Sequence, residues 1–79
     1  MNRKRRERVL SVISTLESAK DVLDDVLYEE TDAMENIPEN LQSSERYEKM
    51  EENVDILQDA IDDINEAIEK LSDIIGGAH

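Results

Sequence analysis

Cysteine is absent from this chain, so neither a disulfide nor a thiolate metal site can supply stability. Tryptophan and phenylalanine are missing too, and Tyr28 and Tyr47 are the only aromatic residues, which removes the stacking platforms of single-strand nucleic-acid binders. The single histidine, His79, follows two glycines at the C-terminal end. No Glu-x-x-His pair therefore exists for an inward di-metal site. No histidine or cysteine lies near Ser11, Ser14, Ser18, Ser43, Ser44 or Ser72 to activate a hydroxyl. Glycine occurs only at Gly76 and Gly77, after a helical segment, whereas a phosphate-cradling loop needs glycines before one. The pairs Asp24-Asp25 and Asp62-Asp63 lack the glycine and the alternation of a calcium loop. The expectation is a chain with no enzyme activity, no cofactor, no metal and no small-molecule substrate.

Long apolar runs are lacking as well. The basic start is followed by no apolar stretch of signal-peptide length, and nothing approaches the roughly 18 uncharged apolar residues of a membrane span. No membrane association is expected, and a cytoplasmic location is. Positive charge is scarce outside one place: Arg3, Lys4, Arg5, Arg6 and Arg8 crowd the start, opposed only by Glu7. The formal net charge is −12, which leaves about −16 on everything after Arg8. Such a body is repelled by nucleic acid and anionic lipid, and it is attracted to basic protein surfaces, including those that themselves bind nucleic acid. Direct nucleic-acid binding is not expected.

What is present in quantity is heptad pattern. Tyr47, Met50, Val54, Leu57, Ile61, Ile64, Ile68, Leu71 and Ile75 alternate three and four residues apart, the spacing that keeps one seam of a helix against a partner helix. The first half carries a second pattern, with Val9, Leu16 and Leu23 in one row and Val12, Ala19, Val26 and Ala33 in the other. Ile13, Leu27 and Met34 widen that stripe, as Ala60, Ala67 and Ile74 widen the other. Three apolar positions per heptad exceed what a two-stranded coiled coil uses and suit a four-helix core.

The only proline separates the halves. Pro38 biases Ile37 away from the helical region, so the first helix is expected to end near Glu35, and Pro38 itself suits the start of a short helical turn. Ser43 or Ser44 should cap the second helix, with Glu45 and Glu48 in its first turn where the dipole favours anions. Ile37 and Leu41 are expected to close the end of the core. A connection this short makes the helices antiparallel neighbours.

Three details sit less easily with that scheme. The bases of residues 1–8 oppose the helix dipole, so this arm is expected to fray, with Glu66, Glu69 and Asp73 of the second helix partly neutralising it. Glu30 is the one carboxylate at an inward heptad position. Tyr28 and Tyr47 are expected in the core or at its rim.

The turn Asn36-Ile37-Pro38-Glu39-Asn40-Leu41-Gln42-Ser43-Ser44-Glu45-Arg46 is followed by Glu48-Lys49-Met50-Glu51-Glu52 and Leu57-Gln58-Asp59-Ala60-Ile61-Asp62-Asp63-Ile64. This stretch resembles a group of small acidic helical proteins of Gram-positive bacteria and their phages. The resemblance spans roughly residues 29–75, and its specific part is the Asn-Ile-Pro-Glu-Asn-Leu-Gln turn. It carries over no catalytic or binding residue. It implies a phage-like setting in host cytoplasm, where the acidic face would engage a host protein.

The reading that results is a single all-α domain over 1–79: an antiparallel helical hairpin with helices over about 3–35 and about 43–75, a basic arm over 1–8 and a C-terminal tail over 76–79. A chain of this length has little apolar surface to spare against the entropy of ordering, so two hairpins should dimerise into a four-helix bundle. The core and oligomer seam is assigned to Leu16, Leu23, Val26, Val54, Leu57, Ile61, Ile64, Ile68 and Leu71. The partner-binding face is assigned to Asp55, Asp59, Asp62, Asp63 and Glu66. The expected function is a non-enzymatic protein-protein interaction module that engages a basic groove, and the alternative is an adaptor whose apolar seam binds a helix of another protein.

Overall fold

The computed structural model describes residues 1–76 of the chain. Two helices, α1 (Arg3–Glu35) and α2 (Glu45–Gly76), are joined by a single 3₁₀ turn at Glu39–Leu41. They pack antiparallel as a hairpin: the guanidinium of Arg6 reaches the carbonyl of Ile75 at 3.4 Å near one end, and the Asn53 amide donates to Glu30 at 3.0 Å nearer the other. The result is a rod of 59 × 15 × 15 Å. The second helix runs through Gly76, the first residue assigned from sequence to the C-terminal tail. Gly77, Ala78 and His79 lie outside the described residues.

Local chemistry sets each boundary. Asn2 caps α1, its side-chain oxygen accepting from the Arg5 amide at 2.8 Å while its carbonyl accepts from Arg6 at 3.0 Å. The basic arm is helical from Arg3 onward, with Asn2 as its cap. At the other end Asn36 donates to Asp32 at 3.1 Å and Pro38 cannot continue the ladder, so α1 stops at Glu35. The Pro38 carbonyl accepts from Leu41 at 2.8 Å and starts the 3₁₀ turn. Ser44 then caps α2, its hydroxyl accepting from the Tyr47 amide at 3.2 Å.

Packing follows the heptads, with one change of phase. In α2 the residues Tyr47, Met50, Val54, Leu57, Ile61, Ile64, Ile68, Leu71 and Ile75 all turn inward and are at least partly buried. In α1 the inward row is Arg6, Val9, Ile13, Leu16, Lys20, Leu23, Leu27, Glu30 and Met34. Val12, Ala19, Val26 and Ala33, read from the sequence as half of the seam, are exposed, Val26 at 39%. The physical reason is size. Ile13, Leu27 and Met34 cover more apolar area than Val12, Val26 and Ala33. The charged members of their row, Arg6 and Lys20, can lay their aliphatic stems on the seam and hold their heads in water.

Two helices side by side enclose only a strip. Among the described residues Ile13 and Ile61, at 9% and 3% exposure, are the buried ones, and the rest of the seam is half covered. Ile37 is half-buried at the turn, but Leu41 stays exposed. Tyr47 packs in the seam, whereas Tyr28, expected in the core or rim, is 74% exposed. Tyr28 follows Leu27, and that one-residue step of about 100° carries it off the inward face.

Candidate functional site

The seam row of α2 from Tyr47 to Ile75 carries no charged residue, and most of the carboxylates of the helix lie behind it. Glu48, Glu52, Asp55, Asp59, Asp62, Glu66, Glu69 and Asp73 recur at alternating steps of four and three residues, and every one is exposed. That spacing puts them in a single stripe opposite the seam, about 37 Å long at 1.5 Å per residue. Neighbours in the stripe are about 5 Å apart along the axis, inside the roughly 8 Å Debye length of physiological salt, so they act on a partner collectively. Two exposed ion pairs interrupt it, Lys49 to Glu52 at 3.8 Å and Lys70 to Glu66 at 3.4 Å. Pairs this exposed hold little energy and open readily to a competing cation.

Of the residues picked from sequence, Asp55, Asp59, Asp62 and Glu66 fall together on this stripe. Asp62 also accepts from Gln58 at 3.1 Å. Asp63 is exposed but lies one step round the helix, on the side that carries Ile56 and Ala60. The sequence reading did not separate Glu48, Glu52, Glu69 and Asp73 from the other acids, although the same heptad count that found the seam would have placed them. The charge density is about one unit per 5 Å, against one per roughly 1.7 Å on duplex DNA. The stripe is a moderately charged protein surface and not a replica of a duplex.

Leu16, Leu23, Val54, Leu57, Ile61, Ile64, Ile68 and Leu71 turn inward between the two helices, and Val26 does not. The expected neutralisation of the arm by Glu66, Glu69 and Asp73 is not seen among the described residues. Arg6 instead donates to the Ile75 carbonyl, where a cation complements the negative end of the α2 dipole. Arg3 pairs with Glu7 at 3.3 Å within its own helix, as Lys20 does with Asp24 at 3.2 Å. Glu30 is half-buried and held across the seam by Asn53.

Beside the seam the hairpin has an open apolar side. Three shallow grooves lie along it. One of about 530 Å³ is lined by Val12 and Leu71 with Arg5 and Arg8 at its edge, one of about 350 Å³ by Val26, Ile56 and Leu57, and one of about 450 Å³ by Ala33 and Ile37 at the turn. Among the described residues no group of histidine and carboxylate side chains is arranged to hold a metal ion, and no helix is long and apolar enough to cross a membrane. Comparison with protein-family models, curated proteins and solved structures finds no match for this chain.

Proposed function

We propose that this chain is a non-enzymatic protein-protein interaction module that works as a dimer of hairpins and presents the acidic stripe of α2 to a protein with a basic groove. The observation that carries the reading is the stripe itself: eight exposed carboxylates from Glu48 to Asp73 in register on one rigid helix. A rigid helix keeps their spacing fixed, so a complementary groove gains from all of them without ordering a flexible segment. The resemblance of the Asn36–Gln42 turn to small acidic phage-type proteins points the same way, toward a basic host protein in the cytoplasm as partner.

The test is capture of basic proteins from a bacterial lysate on the immobilised chain, with duplex oligonucleotide as competitor. Capture should fall with salt, be displaced by the oligonucleotide, and be lost when Asp55, Asp59, Asp62 and Glu66 are all replaced by lysine while circular dichroism stays helical. Undiminished capture by the charge-reversed chain would remove the stripe from consideration. A second reading is favoured by one observation, the exposure of Val22, Val26 and Ile56 at 61%, 39% and 56%. On that reading the chain is an adaptor whose apolar side takes a helix of another protein, and it predicts a gain of helicity on mixing with that partner and indifference to the four lysines.

A further inference from the structure

We propose that the open apolar side of the hairpin takes an amphipathic helix of another protein, one whose acidic residues gather at the end that reaches Arg5 and Arg8. The inference rests on the adaptor reading above. It names the chemistry of the helix, gives the basic arm a task and leaves the acidic stripe of α2 untouched.

Two observations meet at one end of the rod. The groove of about 530 Å³ takes its apolar lining from Met1, Val9, Val12 and Leu71, and no carboxylate lines it. Arg5 and Arg8 stand at its edge, and among the described residues neither has a carboxylate within ion-pair distance, although the chain holds 21 acidic residues. Their neighbours Arg3 and Arg6 are engaged, by Glu7 and by the Ile75 carbonyl. Both free arginines lie in the first two turns of α1, where the helix dipole adds positive potential. An apolar groove edged by two uncommitted guanidinium groups suits an apolar ridge flanked by carboxylates.

The rest of the side decides where those carboxylates lie. Glu30 lines the second groove, inward and already bonded by Asn53, and Asp63 shares the helical row of Ile56. Arg46 is a single base at the turn. Acids on the occupant are therefore favoured at the Arg5 end and not along its whole length. The occupant is a helix because the grooves are shallow and follow one another from Val12 to Ala33, about 32 Å of α1, as the ridge of a third helix requires. Nucleic acid has no apolar ridge to lay there, and a lipid tail in so open a groove would stay largely in water.

The experiment titrates labelled peptides, at nanomolar concentration, with the full chain and follows fluorescence anisotropy. Each peptide is about 21 residues long, roughly 32 Å as a helix, with leucine at the seam positions. Three versions carry glutamate, glutamine or lysine at the flanking positions of the first two turns, and glutamine at those of the rest. The wild-type chain should bind the glutamate peptide about tenfold more tightly than the lysine peptide despite its own net charge of −12, since two exposed pairs turn from repulsive to attractive. Arg5→Glu combined with Arg8→Glu should reverse that order. Arg3→Glu combined with Lys4→Glu changes the net charge equally at residues that do not line the groove, and should preserve it. Equal affinity for all three peptides, or the same reversal in both double variants, would overturn the charge assignment and leave the adaptor reading standing. Binding of none of them at about 1 mM chain would overturn both. Duplex oligonucleotide held through Arg5 and Arg8 more tightly than the glutamate peptide would overturn the proposal in favour of phosphate. A wild-type dimer that the glutamate peptide leaves intact would overturn it in favour of a second copy.

Discussion

Replacing Ile61 with alanine tests the packing more directly than any surface change. Ile61 is the most buried of the described residues, at 3% exposure, in the middle of α2. Ile61→Ala removes three carbon atoms from the seam, a transfer loss of about 2.4 kcal/mol at roughly 0.8 kcal/mol per methylene. A residual cavity adds to this, although a site one residue from solvent on either flank can collapse or hydrate, which keeps that addition small. Alanine is the better helix former by several tenths of a kcal/mol, which offsets part of the loss. The net is about 2 to 3 kcal/mol, a large share of the roughly 4 to 12 kcal/mol expected for a domain of this size. For so short a chain each kcal/mol moves the midpoint by about 4 to 8 °C, so the midpoint of thermal unfolding followed at 222 nm should drop by at least about 8 °C. Leu10→Ala is the control, since Leu10 is 51% exposed and off the seam; it should shift the midpoint by no more than about 3 °C. If the two variants unfold together, the hairpin seam is not where the stability resides.

Asn2→Ala should cost about 1 kcal/mol through loss of the N-cap and should raise the hydrogen-exchange rates of the Arg5 and Arg6 amides before any others in α1. Lys20→Leu should stabilise the chain by about 1 kcal/mol in urea titrations, because it extends the apolar seam near Ile61 and loses only the exposed pair with Asp24. Raising salt from about 0.1 to 1 M should raise the midpoint of thermal unfolding, because screening relieves the self-repulsion of a net −12 chain more than it weakens the exposed ion pairs of Arg3, Lys20, Lys49 and Lys70. A fall in the midpoint with salt would show that those pairs matter more than their exposure implies.

The sequence alone was enough for the two helices, their ends and the seam of α2. Proline, asparagine and serine act through their own backbone neighbours, so Pro38, Asn36 and Ser44 place the turn without reference to anything distant. The seam of α2 was legible for a related reason. Its heptad row from Tyr47 to Ile75 carries no charge and one row of acids covers the back, so a single phase satisfies both. Helix α1 offered two phases, because Val12, Ala19 and Val26 form a heptad row as regular as Ile13, Lys20 and Leu27. Only the pairing of whole helices decides between them, by bringing the larger side chains against α2 and leaving lysine to reach past the edge. The same choice turned Val26 outward and created the open side that now looks for an occupant. Arg6 on the Ile75 carbonyl and Asn53 on Glu30 belong to that level too, since residues 69 and 23 positions apart meet only after the hairpin has closed. Local chemistry thus determined which segments are helical, and the competition between side chains of unequal size for one narrow strip determined which face each helix presents.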